Sequence, residues 1–254
     1  TGYDGVELAT MPGYSAEPGK LSRQQRQATR AWFADGKLKL TALMENLPPQ
    51  ADDARHKQDL ARLRSVLELA KELSVGPRPP VLQTVLGGGE WDARKELFRD
   101  RLGDWQKLAT ELGVVIAIKP HRGGAMSTPA QAIWLFEQLG GKPQLRMVYD
   151  YSHYAFRQMP LEETVKLSLP YTAHIAVKDA VEENGKVSFA LPGEQNTHYA
   201  KLFGLFYDGG YRGDFCCEVS SQLSNRTDYN PIAAAKVCYG NMSAALAEAK
   251  IPRA

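Results

Sequence analysis

The chain has 254 residues, 43% of them hydrophobic, enough to fill one large core or two small ones. With 31 basic and 29 acidic residues the net charge is +2, which supplies no electrostatic case for nucleic acid. No apolar stretch reaches the ~20 residues of a membrane helix. The opening TGYDGVELAT lacks a charged-then-apolar leader, so no signal peptide is expected.

In chain order, YDGVEL (3–8) reads as a short strand, 21–36 as a polar-faced helix ending at glycine, and KLKLTALM (37–44) as a strand. The segment 51–76 sets Leu60, Leu63, Leu67, Ala70 and Leu73 on one helical stripe, with Asp52 and Asp53 near its start, where they suit the dipole. PVLQTVLGGG (80–89) reads as a strand and glycine loop, 90–112 as a helix, and VVIAIKPH (114–121) as the next strand. Proline marks the later helix starts: Pro129 after Thr128, Pro160, and Pro231 after Asn230. Between them lie the strands LRMVYDYSH (145–153), AHIAVKDA (173–180) and DFCCEVS (214–220), and a helix around 197–210. Cys216, Cys217 and Cys238 are too few for a disulfide framework and read as small buried hydrophobes.

Seven strands, most followed by a helix, imply a parallel sheet with right-handed crossovers, either doubly wound or closed. Polar residues gather at the C-terminal ends of many strands: Glu7, Glu45, Lys119, His121, Asp150, His153, Lys178, Asp179 and Glu218. That rim is where TIM barrels carry chemistry, and no G-x-G-x-x-G turn follows an early strand. The expectation is an α/β fold of (β/α)₈ TIM-barrel type, one domain over 1–254, lacking or truncated at its first β–α unit.

The motifs GYDGVEL, ELAKEL, IAIKPHRGG, MVYDYSH, IAVKDA, LPGEQ and GGYRGDFCCEVS occur in the order and spacing of xylose-isomerase-like barrels. The chain thus resembles the sugar phosphate isomerase/epimerase-type relatives of endonuclease IV and the keto-sugar 3-epimerases. The resemblance implies a divalent metal (Mn, Mg, Co or Zn) held by a glutamate, an aspartate, a histidine and a second glutamate. The two glutamates also trade protons with the sugar carbon. On that pattern Asp150 matches the aspartate, His153 a substrate-contacting histidine, and Glu218 the terminal glutamate. The first glutamate falls on Lys119, with His121 matching a nearby histidine. The metal histidine falls on Ala176, with Lys178 and Asp179 matching the rest of its strand.

Two of four ligand positions are thus altered. An ammonium in place of a carboxylate moves the local charge two units against a cation. A rebuilt metal site would draw on Asp150, Glu218 and His121, with His153 in reserve. Without metal, Lys119 and Lys178 would be fixed cations for a developing enolate, and Glu218 or His121 the general base. Lys178, Glu7 and Arg226 are the expected substrate contacts. Asp179 reads as a partner of Lys178 or a turn cap. His56 reads as solvated surface, His174 as a core residue, His198 as a helix cap or rim residue, and Trp91, Trp105 and Trp134 as packing.

The expected function is proton abstraction beside a carbonyl on a ketose or keto-glycoside, leading to isomerisation, epimerisation or β-elimination. The alternatives are a non-catalytic sugar-binding subunit and an abasic-site endonuclease, the latter opposed by only five histidines and near-neutral charge. The expected partner is a small sugar, with no nucleic acid and no membrane. A homo-oligomer is in keeping with the fold. The cytoplasm is the default compartment, with periplasm or secretion open if an upstream segment was removed.

Overall fold

The computed structural model describes residues 1–253. It divides into two compact units, one spanning Asp4–Val148 and the other Tyr149 onward together with Thr1–Tyr3.

The first unit alternates strands and helices: β1 (Gly5–Ala9), α1 (Arg23–Ala34), β2 (Lys39–Met44), α2 (Asp53–Leu73), β3 (Val81–Thr84), α3 (Trp91–Leu112), β4 (Ile116–Ile118) and α4 (Pro129–Gln138). The parallel order is β1-β2-β3-β4, and β5 (Leu145–Tyr149) continues it beside β4. Local sequence fixes the helix ends. Ser22 and Thr128 each form a reciprocal capping box with the glutamine three residues on, and the Asp52 carboxylate accepts from Arg55 N–H. Gly113 ends α3 in the left-handed conformation, φ 68°, that glycine adopts without a Cβ penalty. The stripe Leu63, Leu67, Ala70 and Leu73 is fully buried, and Leu82, Ile116, Ala117 and Ile118 are buried as befits strands covered on both faces.

Among the polar residues of this unit, His56 departs from the sequence reading. His56 is buried, its Nε2 3.1 Å from Asp104 Oδ2, so it joins α2 to α3 instead of facing solvent. Glu45 directly follows β2, at the strand end where it was expected, and is buried against Arg62, which reaches its Oε2 from Nε at 2.9 Å and from Nη2 at 2.8 Å. Trp105 is buried, and Trp91 meets Trp134 edge-on at 5.6 Å, as packing residues should.

The second unit contains α5 (Ser152–Ala155), α6 (Leu161–Ser168), β6 (Thr172–Val177), β7 (Asp179–Glu183), β8 (Lys186–Ala190), α7 (Tyr199–Asp208), β9 (Phe215–Cys217), α8 (Ser221–Ser224) and α9 (Pro231–Glu248). Strands β6 and β9 pair in parallel, Ile175 opposite Phe215. Their helices close over an aromatic core of Tyr149, Tyr154, Tyr199, Phe203, Phe206 and Tyr211. Cys238 is buried, whereas Cys216 and Cys217 are half-buried.

Two segments differ from expectation. The strand read over 145–153 stops at Tyr149, because the Asp150 carboxylate accepts from Ser152 N–H at 3.1 Å and turns the chain into α5. The strand read over 173–180 breaks after Val177, and residues 179–190 form the antiparallel hairpin β7–β8. Its turn is Asn184-Gly185, with φ of 53° and 76°. Two consecutive positive φ values are what a two-residue hairpin turn demands, and Asn-Gly supplies them at least cost. Seven strands run parallel, one short of a full eight.

Candidate active site

The chemistry-bearing groups of the second unit meet where β5, β6 and β9 end. Asp150 follows β5 directly, and the turn into α5 brings His153 back beside it. The His153 Nε2 lies 3.3 Å from Asp150 Oδ2. Lys178, one residue beyond β6, extends its Nζ to 3.2 Å from the same oxygen and 2.5 Å from Glu218 Oε1. Glu218 follows β9, held level with the end of β6 by its N–H donating to Val177 O at 3.0 Å.

Asp150, His153 and Lys178 are buried, while the Glu218 side chain retains 23% of its exposure. The two carboxylates therefore differ in environment. Asp150 is enclosed: Ser152 Oγ donates to Oδ1 at 2.6 Å, and Lys178 Nζ and His153 Nε2 lie 3.2 and 3.3 Å from Oδ2. Glu218 is the carboxylate with an open side. Lys178 has three N–H bonds, two of them directed at carboxylates. The Phe189 ring of β8 has its centroid 5.0 Å from Nζ.

Asp179 plays another part. Its Oδ2 accepts from Gly193 and Gln195 N–H, both at 2.9 Å, and its Oδ1 from the Tyr199 hydroxyl at 3.0 Å. It caps the LPGEQ turn and does not pair with Lys178. Burial, and then the Asp179 charge, push the Tyr199 hydroxyl well above the ordinary tyrosine range.

The remaining sequence candidates are placed as follows. Arg226 forks onto Asp228 at the surface, through Nε at 3.0 Å and Nη2 at 2.8 Å. His174 is buried on β6, and His198 stands exposed at the start of α7 without a side-chain capping bond. In the first unit Gln83 Nε2 donates to Glu7 Oε1 at 2.5 Å. Lys119 is buried just past β4, its N–H donating to Thr84 O at 2.9 Å. The turn after it is closed by His121 N–H to Met126 O at 3.0 Å and Gly124 N–H to His121 O at 2.8 Å. A Cβ on Gly124 would sit 3.2 Å from both the His121 and Gly87 carbonyl oxygens, so the glycine pair permits this close backbone approach. The His121 Nδ1 accepts from Gly123 N–H at 3.1 Å, which puts the proton of a neutral ring on Nε2.

Sequence reasoning missed Phe189 and Gln222. The Phe189 N–H donates to Gln222 Oε1 at 2.9 Å, and Gln222 Nε2 donates to Val187 O at 3.4 Å. The available signal was Asn184-Gly185 between two strand-like runs, a hairpin mark that would have put Phe189 one residue from the hairpin's end.

Asp150 and Glu218 are the second unit's carboxylates that the resemblance assigns to a metal. Between them stands the Lys178 ammonium. Unit charges 4 Å apart interact by about 4 kcal/mol at an effective dielectric of 20, so a dication beside that ammonium would meet roughly 8 kcal/mol of repulsion. Ala176, at the histidine position, offers no donor to offset it. A divalent ion held by Asp150 and Glu218 would draw comparable attraction from each carboxylate, and would have to displace the Lys178 ammonium from between them.

The family model described as xylose isomerase-like TIM barrel matches residues 1–236. The human "Putative hydroxypyruvate isomerase" is 31% identical over 93 residues, 37% of this chain. The match spans 31% of that relative's length. Among solved structures, 3-keto-D-glucoside 4-epimerase from E. coli superposes with a TM-score of 0.73 at 15% identity, over 97% of this chain and 90% of that one. A xylose isomerase-like TIM barrel protein from Mycobacterium smegmatis, described in complex with magnesium, gives 0.70 at 16% identity, over 96% of this chain and 83% of that one. At such identities the structural likeness establishes the fold.

Proposed function

Because the chain belongs to the xylose isomerase-like TIM-barrel family, we propose that it is a carbohydrate isomerase or epimerase whose resident cation is the Lys178 ammonium. The single observation that carries this reading is that Lys178 Nζ bridges Asp150 Oδ2 and Glu218 Oε1, at 3.2 and 2.5 Å.

The substrate is a ketose or keto-glycoside with its carbonyl oxygen on Lys178 and the adjacent C–H facing Glu218. Glu218, the half-open carboxylate, removes that proton. The C–H electron pair moves into the carbonyl, giving an enolate whose oxygen is held by the ammonium. A fixed cation in a water-poor site needs no reorganisation as the charge develops, which is the source of its effect. Asp150, contacted on both oxygens, keeps Lys178 and His153 in position. Return of a proton to the same carbon from the other face epimerises; isomerisation follows when the hydroxyl proton of the deprotonated carbon passes to the enolate oxygen, so that a new carbonyl forms there as the former carbonyl carbon takes up the proton. A β leaving group would instead depart as the enolate collapses. A divalent metal, were it bound, would supply Lewis-acid polarisation of the same carbonyl.

Lys119 and His121 come to this reading from the resemblance alone, as a second cation and an alternative base. Arg226, in the loop after the last strand, and Glu7, near the end of β1, enter it by position alone as outer substrate contacts. Solvent-deuterium incorporation tests the reading, with chelated protein and a panel of ketoses and 3-keto-glycosides followed by proton NMR. Exchange into at least one sugar without added metal is expected. No exchange anywhere, with saturable sugar binding retained, would select the non-catalytic binding subunit.

A further inference from the structure

Phe189 is an aromatic residue in an unusual setting. The core of its unit is rich in packed rings, yet Phe189 stands apart from that cluster, half-buried against polar groups. Its ring meets the His153 imidazole edge-on, centroids 5.9 Å apart and planes at 75°, and lies 5.0 Å from Lys178 Nζ. Core packing does not account for a phenyl ring held against an ammonium and an imidazole.

The ring is also held deliberately. The tight Asn184-Gly185 turn fixes the register of β7 with β8, which sets Phe189 opposite Ala180. Gln222 then staples the hairpin from the other side, its amide oxygen taking the Phe189 N–H and its amide nitrogen reaching Val187 O. Gln222 belongs to α8, which begins three residues after Glu218. The segment that carries the proposed base therefore also sets the height of the ring.

An aromatic face carries negative electrostatic potential and attracts polarised C–H bonds. A sugar in its closed pyranose form presents several axial C–H bonds on one flat face. An open-chain sugar presents no such face. We propose that Phe189 is a specificity-determining residue that selects a ring-closed keto-glycoside over an open-chain ketose, with Gln222 as its positioning residue. The inference rests on the site reading above, and it narrows the substrate class.

The test uses the full chain, with methyl 3-keto-α-D-glucopyranoside as the ring-locked probe and D-erythrulose, a ketose too short to close a pyranose or furanose ring, as the open-chain one. Two readouts are taken: dissociation constants from NMR titration, which need no turnover, and KM and kcat for solvent-deuterium exchange. F189L keeps apolar volume without a flat face, and F189W keeps the face. F189L is expected to weaken binding of the glycoside at least tenfold and to raise the ratio of glycoside KM to erythrulose KM by a similar factor. F189W should stay within threefold of wild type, and Q222A should reproduce about a third of the F189L effect. Equal losses on both probes, or F189L binding the glycoside like wild type, would overturn the proposal. Tight, Phe189-dependent glycoside binding without exchange would sustain it while sinking the catalytic reading.

Discussion

The Tyr199 hydroxyl donates to Asp179 Oδ1 at 3.0 Å across a buried contact, while two backbone N–H groups take the other oxygen. One carboxylate thus organises the base of the β7–β8 hairpin and the start of α7. Hydrogen bonds to a charged group contribute about 1.5–3 kcal/mol each when the partner is lost. D179N, which points an amide N–H at backbone donors, should lower unfolding free energy by about 3 kcal/mol in urea. Y199F, which removes one such bond, should cost about 1.5–3 kcal/mol. If D179N unfolded like wild type but lost sugar binding, Asp179 would be a substrate contact and not a structural cap.

The Glu45–Arg62 pair makes a similar claim for the first unit. Glu45 is 1% exposed, and its carboxylate takes both guanidinium contacts. Breaking a buried pair from one side costs roughly 3–5 kcal/mol, because the other charge is left behind. E45Q should therefore shift the denaturation midpoint clearly and leave exchange kinetics of the folded protein close to wild type. A stable E45Q protein with greatly reduced turnover would give Glu45 a part in the chemistry.

Alkaline pH should attack the second unit. Burial pushes the hydroxyls of Tyr149, Tyr154, Tyr199 and Tyr211 far above the ordinary tyrosine value of 10.0. The folded state then keeps protons that the unfolded chain releases. Stability from these groups is intact below about pH 10 and falls as pH rises beyond it, by roughly 1.4 kcal/mol per pH unit for each tyrosine. Absorbance at the tyrosinate band should thus rise together with loss of near-ultraviolet circular dichroism. Smooth ionisation at ordinary pH with the fold intact would contradict this.

What could be read from the sequence follows from what is local. Asp150, His153, Lys178 and Glu218 were legible because strand ends and the D-x-x-H spacing set their positions within a few residues of each backbone turn. The helix starts marked by Thr128 and Asn230 before proline were equally local. His56 misled because its partner, Asp104, stands 48 residues away, and only tertiary packing decides such a pairing. Phe189 stayed hidden for a different reason. An aromatic residue in a strand ordinarily means core, and nothing near it in sequence says that its neighbours are an ammonium and an imidazole.

The central claim is that the Lys178 ammonium stands as the cation between Asp150 and Glu218. Its most direct test is the rate of solvent-deuterium exchange by chelated K178M beside chelated wild type and K178R, on whichever sugar wild type turns over. K178M should fall at least 100-fold, with K178R recovering part of that loss, since losing one group that holds a developing oxyanion costs roughly 10²–10³ in rate. Wild-type exchange that disappears on chelation and returns with manganese, or K178M working within threefold of wild type, would contradict the account.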